Sequence, residues 1–300
     1  MRNLIWHTFH NRNLIAMHPN FTLDYFPVEY FIRPVVEPRR SGFFSRSVPR
    51  QISADSPGNA VSFEPLVTET RSRMRSHLDE TLSIPQEFRR RESLHGKIEL
   101  HASQWSIQAR KKSIGSLRMV YIHGAKNQII NTWVFPNRPD HMPVFAAELI
   151  AVGAEVRVAF VDIQVPVIRS RSILDDVSLL TNGIASRYLE LACSEAPPVW
   201  ATESSQGHFT YARNIPLIQL RRVEECYQAY LDAYLSAFAN RITGAGLSDQ
   251  KRDESALDEL HHYQHHHMES SPGNKFLSKL FGADWTDSFM REFLFARPRG

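Results

Sequence analysis

Residues 117–164 read LRMVYIHGAKNQIINTWVFPNRPDHMPVFAAELIAVGAEVRVAFVDIQ. Within this stretch, four segments rich in β-branched and aromatic residues are separated by turn residues such as Gly124, Pro136 and Gly153. Segments of about 7–9 residues joined by short loops are typical of antiparallel strands that follow one another as a meander. The four predicted strands are Leu117–His123, Gln128–Phe135, Val144–Val152 and Val156–Ile163.

Helical patterns occur on both sides of this predicted sheet. The clearest is Leu220–Ala239, where apolar residues recur with the spacing of one helix face. Phe63–Leu82 and Ile173–Leu191 are also helix-like, Ile98–Gln108 is predicted as a first strand, and a further helix ends in the histidines of residues 261–267. Helices flanking an antiparallel sheet on both sides in sequence predict a layered α+β sandwich.

Glu148 is the one carboxylate in the middle of the apolar strand FAAELIAV, residues 145–152. An ionised carboxylate among apolar neighbours carries a desolvation penalty, so we expect it to be paired or to have a raised pKa. The alternative is that Glu148 lies at an edge of the sheet or on a solvent-exposed face.

Composition limits the function classes. The chain has 300 residues, 42% of them hydrophobic, which is enough for a sizeable core, and a net charge of +3. This mildly basic balance does not suggest nucleic acid, but it is compatible with an acidic protein partner or an anionic ligand. Cys193 and Cys226 form neither a metal-ligand spacing nor a disulfide framework. No apolar run reaches the roughly 18–20 residues that cross a bilayer, so we expect a soluble protein.

Residues 1–60 differ from the rest and are predicted to be an N-terminal extension preceding a domain at 61–300. The segment 33–50 is rich in arginine and proline and contains no lysine. Arginine-rich leaders that are poor in acid are typical of organelle transit peptides, which predicts a plastid location. The alternatives are a disordered or misassigned extension and a cytoplasmic protein.

Several cofactor motifs are missing from the sequence. There is no phosphate-binding G-x-x-x-x-G-K-[ST] loop, no G-x-G-x-x-G and no G-x-S-x-G. Residues 261–267, HHYQHHH, contain the i,i+4 pairs His261/His265 and His262/His266, but no H-E-x-x-H pattern. We interpret this run as a polar, partly exposed helix end; the alternative is a histidine that lines a pocket for an acidic ligand. No metal site is predicted.

An ordered series of motifs resembles the ferredoxin-dependent bilin reductases between about residues 63 and 295. The motifs are SQW at 103–105, SLR at 116–118, IINTWVFP at 129–136, MPVFAAELIAVG at 142–153, VAFVDI at 158–163, and PGNKFLSKLFG at 272–282 followed by ADWTDSFMREFLF. Asn131 stands where some members carry histidine. The sequence is therefore most similar to the branch that reduces biliverdin to 15,16-dihydrobiliverdin.

The resemblance implies a three-layer α/β/α sandwich with a central antiparallel sheet and a bilin between the sheet and the C-terminal helices. It also implies biliverdin IXα or dihydrobiliverdin as ligand, and no bound metal or flavin. Reduced ferredoxin would supply electrons one at a time, and side chains that touch the bilin would supply protons. A second bilin reductase or a haem oxygenase are further partners that it implies; it implies no nucleic acid and no membrane.

The resemblance also points to site residues. Glu148 stands in the place of an aspartate that donates a proton in the family, and Asn131 is the second catalytic candidate. Ser271 stands where the family has another acidic residue, so we assign it to substrate binding, because serine cannot supply a tuned proton in the same way. Residues 199–213 lack the family's Phe-Ser-Pro pattern.

Two basic features complete the predicted site. Arg157 is on the mixed face of its strand and is our candidate for binding a carboxylate of the ligand; the alternative is an exposed strand arginine. The run Arg110-Lys111-Lys112 is our candidate surface for docking the acidic ferredoxin. Two other functions stay open: a bilin-binding or chaperone-like protein without turnover, and a related reductase that acts on a chlorophyll catabolite.

Overall fold

An eight-stranded antiparallel sheet forms the middle layer of the protein. The computed structural model describes residues 60–75, 78–109, 112–167, 171–192, 196–202, 205, 209–239 and 253–297. Seven strands follow the order β1-β3-β4-β5-β6-β7-β8, and β2 also pairs with β3. The strands are β1 Leu78–Thr81, β2 Arg90–Glu92, β3 Ile98–Ala109, β4 Lys112–Gly124, β5 Asn127–Pro136, β6 Val144–Val152, β7 Glu155–Gln164 and β8 Thr210–Pro216. The four strands predicted from residues 117–164 are confirmed as β4 to β7.

Helices cover the sheet on both faces. They are α1 Glu64–Met74, α2 Gln86–Arg89, α3 Arg171–Ala185, α4 Val199–Thr202, α5 Leu220–Tyr234, α6 Glu254–Ser270, α7 Pro272–Phe281 and α8 Ala283–Phe289. Short turns of other helix types extend or precede three of them: Ser186–Leu191 after α3, Leu217–Gln219 before α5, Leu235–Ala239 after α5, and Met290–Leu294 after α8. None of the helices in the described ranges is long and apolar enough to cross a membrane.

One face of the sheet packs against α1, α3 and α5 and forms an apolar core with them. Helix α5 contributes a buried tyrosine stripe. The hydroxyl of Tyr227 donates to Thr132 Oγ1 at 3.1 Å, and the hydroxyl of Tyr234 donates to the carbonyl of Pro143 at 2.9 Å. These bonds satisfy the polar ends of rings whose apolar parts are buried. Burial of each large side chain contributes about 1.5–3 kcal/mol, so this face supplies much of the stability.

The C-terminal helices cover the other face. Arg118 of β4 donates from Nη1 to the carbonyl of Leu294 at 3.0 Å, and the ring of Phe295 lies 5.2 Å from that of Trp133 on β5. The hydroxyl of Tyr263 on α6 donates to Gln164 at the end of β7. The predicted three-layer α/β/α sandwich is therefore confirmed.

Three local predictions need correction. The helix predicted for Phe63–Leu82 ends at Met74, and Leu78–Thr81 forms an edge strand instead, because pairing with β3 supplies its backbone hydrogen bonds. Ile98–Gln108 is a strand, but it is the third in the chain and not the first. β8 was not predicted; it pairs with β7 and forms the other edge of the sheet.

Candidate active site

Glu148 lies at the centre of the sheet. It is opposite Asn131 on β5 and opposite Phe160 on β7. Residues directly opposite each other in an antiparallel sheet point to the same face, so all three side chains lie on one face. This is the face covered by the C-terminal helices, because Trp133, two residues after Asn131, contacts Phe295. Glu148 is therefore neither on an edge strand nor on a solvent-exposed face of the sheet.

The carboxyl group of Glu148 has a pKa near neutral pH. Burial raises the pKa of Glu148 to about 7, and the amide of Asn131, which donates towards the carboxyl, partly opposes this rise. The side chain stays half-buried, so a ligand on this face can reach it. A carboxyl with a pKa near the working pH can both hold a proton and release it, which is the requirement for a general acid.

Asn131 and Trp133 together offer an acceptor and a donor beside this carboxyl. They are two residues apart on β5, so their side chains lie on the same face. Neither the side-chain oxygen Oδ1 of Asn131 nor the indole nitrogen Nε1 of Trp133 has a hydrogen-bond partner among the described residues, and both atoms are buried. An unsatisfied buried polar group costs about 1–3 kcal/mol. A ligand with an N–H donor and an adjacent carbonyl acceptor would satisfy both.

A second carboxyl group, Asp162, lies on the same face. It is two residues after Phe160 on β7 and opposite Ala146 on β6, which makes it a diagonal neighbour of Glu148. Burial raises the pKa of Asp162 to about 7; hydrogen bonding from Gln164, the Ile163 amide and Ser205 opposes the rise. The Ile163 amide donates to Asp162 Oδ1 at 2.8 Å. The face therefore carries two carboxyl groups that are poised to donate protons near neutral pH.

Sequence reasoning missed Asp162, although its signal was the same as that of Glu148. Both are single carboxylates in apolar strands, FAAELIAV and VAFVDI. Only the register, in which Phe160 is opposite Glu148, shows that Asp162 lies on the same face.

Helix α6 places one histidine against the site. The ring of His267 lies 5.4 Å from that of Trp133 and 4.4 Å from that of Tyr263. Burial and the neighbouring His266 lower the pKa of His267 to about 4, so its imidazole is neutral at pH 7. The other four histidines of residues 261–267 are exposed. The predicted polar helix end is therefore confirmed for those four, whereas His267 is half-buried against Trp133 and Tyr263.

Arg118 and Arg213 both lie on the face of Glu148. Arg118 is buried opposite Trp133, and its guanidinium carbon lies 5.0 Å from the centre of the Phe135 ring. Arg213 on β8 is opposite Val158, which is two residues before Phe160 and so shares its face. Arg213 is half-buried. This arginine was not predicted, because the strand that carries it was not predicted.

The sequence of the whole sandwich matches one family model. The match covers residues 67–296, and the family is that of the ferredoxin-dependent bilin reductases. This chain belongs to that family. Membership makes it an oxidoreductase that acts on a bilin and takes its electrons from ferredoxin. The resemblance found in the sequence motifs is thereby confirmed.

Individual relatives of this bilin reductase are distant. The 15,16-dihydrobiliverdin:ferredoxin oxidoreductase of Gloeobacter violaceus is 23% identical over 78% of this chain and 94% of its own length. The protein of the same name from Prochlorococcus marinus (strain NATL1A) is 24% identical over 78% of this chain and 96% of its own length. Among solved structures, tomato phytochromobilin synthase in complex with biliverdin aligns with a TM-score of 0.63 at 17% identity, covering 78% of this chain and 83% of that one. That likeness supports the fold.

The bilin reductase brings together only some of the predicted site residues. Glu148 and Asn131 are direct neighbours. Arg157 is half-buried, pairs with Glu155 at 2.8 Å and donates to Asn214 at 3.2 Å, so its role in binding the ligand stays a prediction. Ser271 caps the N-terminus of α7, where its hydroxyl oxygen accepts from the Gly273 amide at 3.2 Å.

The predicted ferredoxin surface lies outside the described residues. This applies to Arg110, Lys111 and the side chain of Lys112, although the backbone of Lys112 begins β4. Nearly all of the predicted N-terminal extension, residues 1–59, lies outside them as well. Both stay predictions.

Proposed function

We propose that this bilin reductase converts biliverdin IXα to 15,16-dihydrobiliverdin. One carbon–carbon double bond of the bilin takes up two electrons from reduced ferredoxin and two protons from the protein. The names of the two relatives described above support this choice of reaction. The observation that carries it is the group of Glu148, Asn131 and Trp133 on one face of the sheet.

The group matches the chemistry of a bilin. A terminal ring of a bilin is a lactam, with an N–H donor next to a carbonyl acceptor. Oδ1 of Asn131 accepts from the ring N–H, and the indole N–H of Trp133 donates to the carbonyl. Both atoms are buried and lack other partners among the described residues. The ligand therefore removes two desolvation penalties when it binds.

Glu148 donates the first proton. Its pKa of about 7 leaves a large fraction of the carboxyl protonated at neutral pH. When an electron enters the bilin, the added negative charge favours transfer of this proton to the ligand. The glutamate side chain is one methylene longer than the aspartate that the family resemblance implies, so the carboxyl reaches further from the strand.

Asp162 donates the second proton. The position that the resemblance assigns to another acid holds Ser271, and its hydroxyl already caps α7. Asp162 has a pKa of about 7 and lies on the same face as Glu148. Two carboxyl groups are thus present for a reaction that consumes two protons.

An arginine holds a propionate of the bilin, because guanidinium and carboxylate form paired, charge-assisted hydrogen bonds. Arg213 is favoured over Arg157, since it lies on the face of Glu148. Ferredoxin docks at residues 110–112. The reaction uses no flavin or metal of the protein's own, as the missing cofactor motifs indicate. The protein is located in a plastid, as the N-terminal extension indicates.

Anaerobic turnover with biliverdin and reduced ferredoxin tests the proposal. The wild-type protein should give 15,16-dihydrobiliverdin, identified by chromatography. Glu148→Gln should bind biliverdin with similar affinity and stall after one electron, seen as a radical signal in electron paramagnetic resonance. In Asp162→Asn the bilin should receive the first proton from Glu148, but the second protonation should fail. Asp175→Asn, an exposed carboxyl on α3, is the matched control and should turn over normally.

The results separate the proposed reaction from bilin binding without turnover and from reduction of a different bond. Binding of biliverdin without any product in the wild-type protein would identify a bilin-binding protein instead. A different reduced bilin would contradict the proposed regiospecificity, and full turnover by Glu148→Gln would exclude Glu148 as the donor.

A further inference from the structure

Glu99, His101 and His123 form a cluster on two neighbouring strands, away from the predicted active site. Glu99 and His101 are two residues apart on β3, and His123 on β4 is directly opposite Glu99. All three side chains therefore point to the same face near one end of the sheet. The register from β3 to β6 puts this face opposite to the one that carries Glu148.

The distances in this cluster suit a metal ion. Oε2 of Glu99 lies 3.5 Å from Nε2 of His101 and 3.7 Å from Nε2 of His123. The three possible ligand atoms all lie within 4.8 Å of one another, and no other group of three such residues in the described ranges meets this spacing. Zinc binds imidazole nitrogen and carboxylate oxygen at about 2.0–2.2 Å, so neighbouring ligands of a tetrahedral ion are roughly 3.4 Å apart. Small rotations of the side chains reach that arrangement.

We propose that Glu99, His101 and His123 bind a divalent transition-metal ion of the zinc class. Two imidazoles and one carboxylate are borderline ligands that favour zinc over magnesium or calcium. Three protein ligands leave the fourth position of a tetrahedral ion to water. The ion links β3 to β4 on the face opposite Glu148, so its effect is on the stability of the sheet and does not depend on the proposed reaction.

The surroundings hold the three side chains next to one another. The rings of His101 and His123 stack with centres 5.2 Å apart, so the two imidazoles lie side by side. Arg90 pairs with the other carboxylate oxygen of Glu99, Oε1. That pair orients the carboxylate, while the positive charges of Arg90 and Arg71 reduce the affinity for a cation.

Metal titration of the full-length protein, carrying no histidine tag, tests this site. Isothermal titration with Zn²⁺ should show a site that His101→Ala, His123→Ala and Glu99→Gln each weaken. Mutation of a residue that only hydrogen-bonds to a metal ligand typically lowers the metal affinity about 10–100-fold. Loss of a ligand itself should therefore weaken binding by about 100-fold or more. Co²⁺ should give the intense visible absorption of a tetrahedral ion in the wild-type protein and lose it in the three variants.

The exposed histidines of α6 provide the matched control. His261/His265 and His262/His266 are i,i+4 pairs that could themselves bind metal. A variant with all four changed to alanine should keep the Co²⁺ spectrum and the high-affinity site. If that variant loses binding and His123→Ala keeps it, the site is on α6 and the proposal is wrong. Absence of binding in the wild-type protein would overturn it as well.

Stability provides a second readout. Zn²⁺ at about 100 times its dissociation constant should raise Tm of the wild-type protein by roughly 5 °C or more. Glu99, His101 and His123 are all half-buried and not part of the core, so the variants should fold without metal. Their Tm should be insensitive to Zn²⁺. An equal increase of Tm in His123→Ala and the wild-type protein would contradict the assignment.

Discussion

Replacing Glu148 by glutamine should change how the stability of the protein depends on pH. The ordinary pKa of a glutamate carboxyl, 4.5, applies to the unfolded chain, whereas burial raises the pKa of Glu148 to about 7 in the folded protein by disfavouring the charged form. Below about pH 4 the carboxyl group is protonated in both the folded and the unfolded state, so it does not change the free energy of unfolding. Between about pH 4.5 and 7 the unfolded chain loses the proton while the folded protein keeps it. The wild-type protein therefore loses stability as the pH rises through this window.

The magnitude follows from the size of the pKa difference. Each unit of pKa difference corresponds to about 1.36 kcal/mol. The wild-type protein therefore loses about 3 kcal/mol of stability once the pH exceeds the pKa of Glu148 in the folded state. Glutamine has nearly the same shape and no proton to lose. The free energy of unfolding of Glu148→Gln, relative to that of the wild-type protein, should therefore increase by about 3 kcal/mol between about pH 4 and pH 8.

Urea denaturation, followed by the fluorescence of the five tryptophans, measures this difference at several pH values. Asp175→Asn removes an exposed carboxylate from α3 and shows what the loss of one solvated charge does. A relative stability of Glu148→Gln that stays constant from about pH 4 to pH 8 would refute the reasoning, because it would mean that the carboxyl is not desolvated. A gain of similar size in the control would show that the effect is due to net charge.

Four further predictions follow from the site and the sheet. Turnover should fall as the pH rises through about 7, because Glu148 loses the proton that it donates; kcat measured against pH checks this, and a flat profile would contradict it. Arg213→Ala should weaken biliverdin binding by about 1.5–3 kcal/mol in a fluorescence titration, whereas a comparable loss only in Arg157→Ala would make Arg157 the anchor. Reversing two charges in residues 110–112 should raise the ferredoxin concentration needed at low salt and leave biliverdin affinity unchanged; an unaltered salt dependence would place docking elsewhere. Gly115→Ala should lower the free energy of unfolding by about 1–3 kcal/mol in urea denaturation, because the added Cβ would lie 2.7 Å from a backbone oxygen of β5. Unchanged stability would show that β4 and β5 can separate slightly to make room for it.

The meander could be predicted from the sequence because the local composition of each strand is enough to indicate a strand. Their β-branched and aromatic residues favour strands, and glycine or proline marks each turn. β1 and β8 were missed because their structure comes from pairing. Leu78–Thr81 has no such composition, and Thr210–Pro216 contains Arg213 and Asn214. Both are edge strands, where one side is free of partners and polar residues are tolerated.

The candidate site was predictable in part. Glu148 could be found because a lone carboxylate in an apolar strand is conspicuous. The contributions of Asp162 and Arg213 depend on which residues are opposite each other, and that register cannot be derived from one strand at a time. The same holds for Glu99, His101 and His123, which meet only because β3 and β4 pair. The sequence directed attention to residues 261–267 instead, where the histidines are adjacent in the chain.

The positions of Glu148 and Asp162 bear on which bond of the bilin is reduced. Both lie in central strands whose backbones are held by hydrogen bonds on two sides, so neither carboxyl can move far during the reaction. When proton donors are fixed, the carbon atom that receives each proton depends on how the ligand is oriented against them. In the proposed complex that orientation comes from Asn131, Trp133 and Arg213. Changes at these three residues should therefore alter the product, whereas changes at the carboxyl groups should stop the reaction at a particular step.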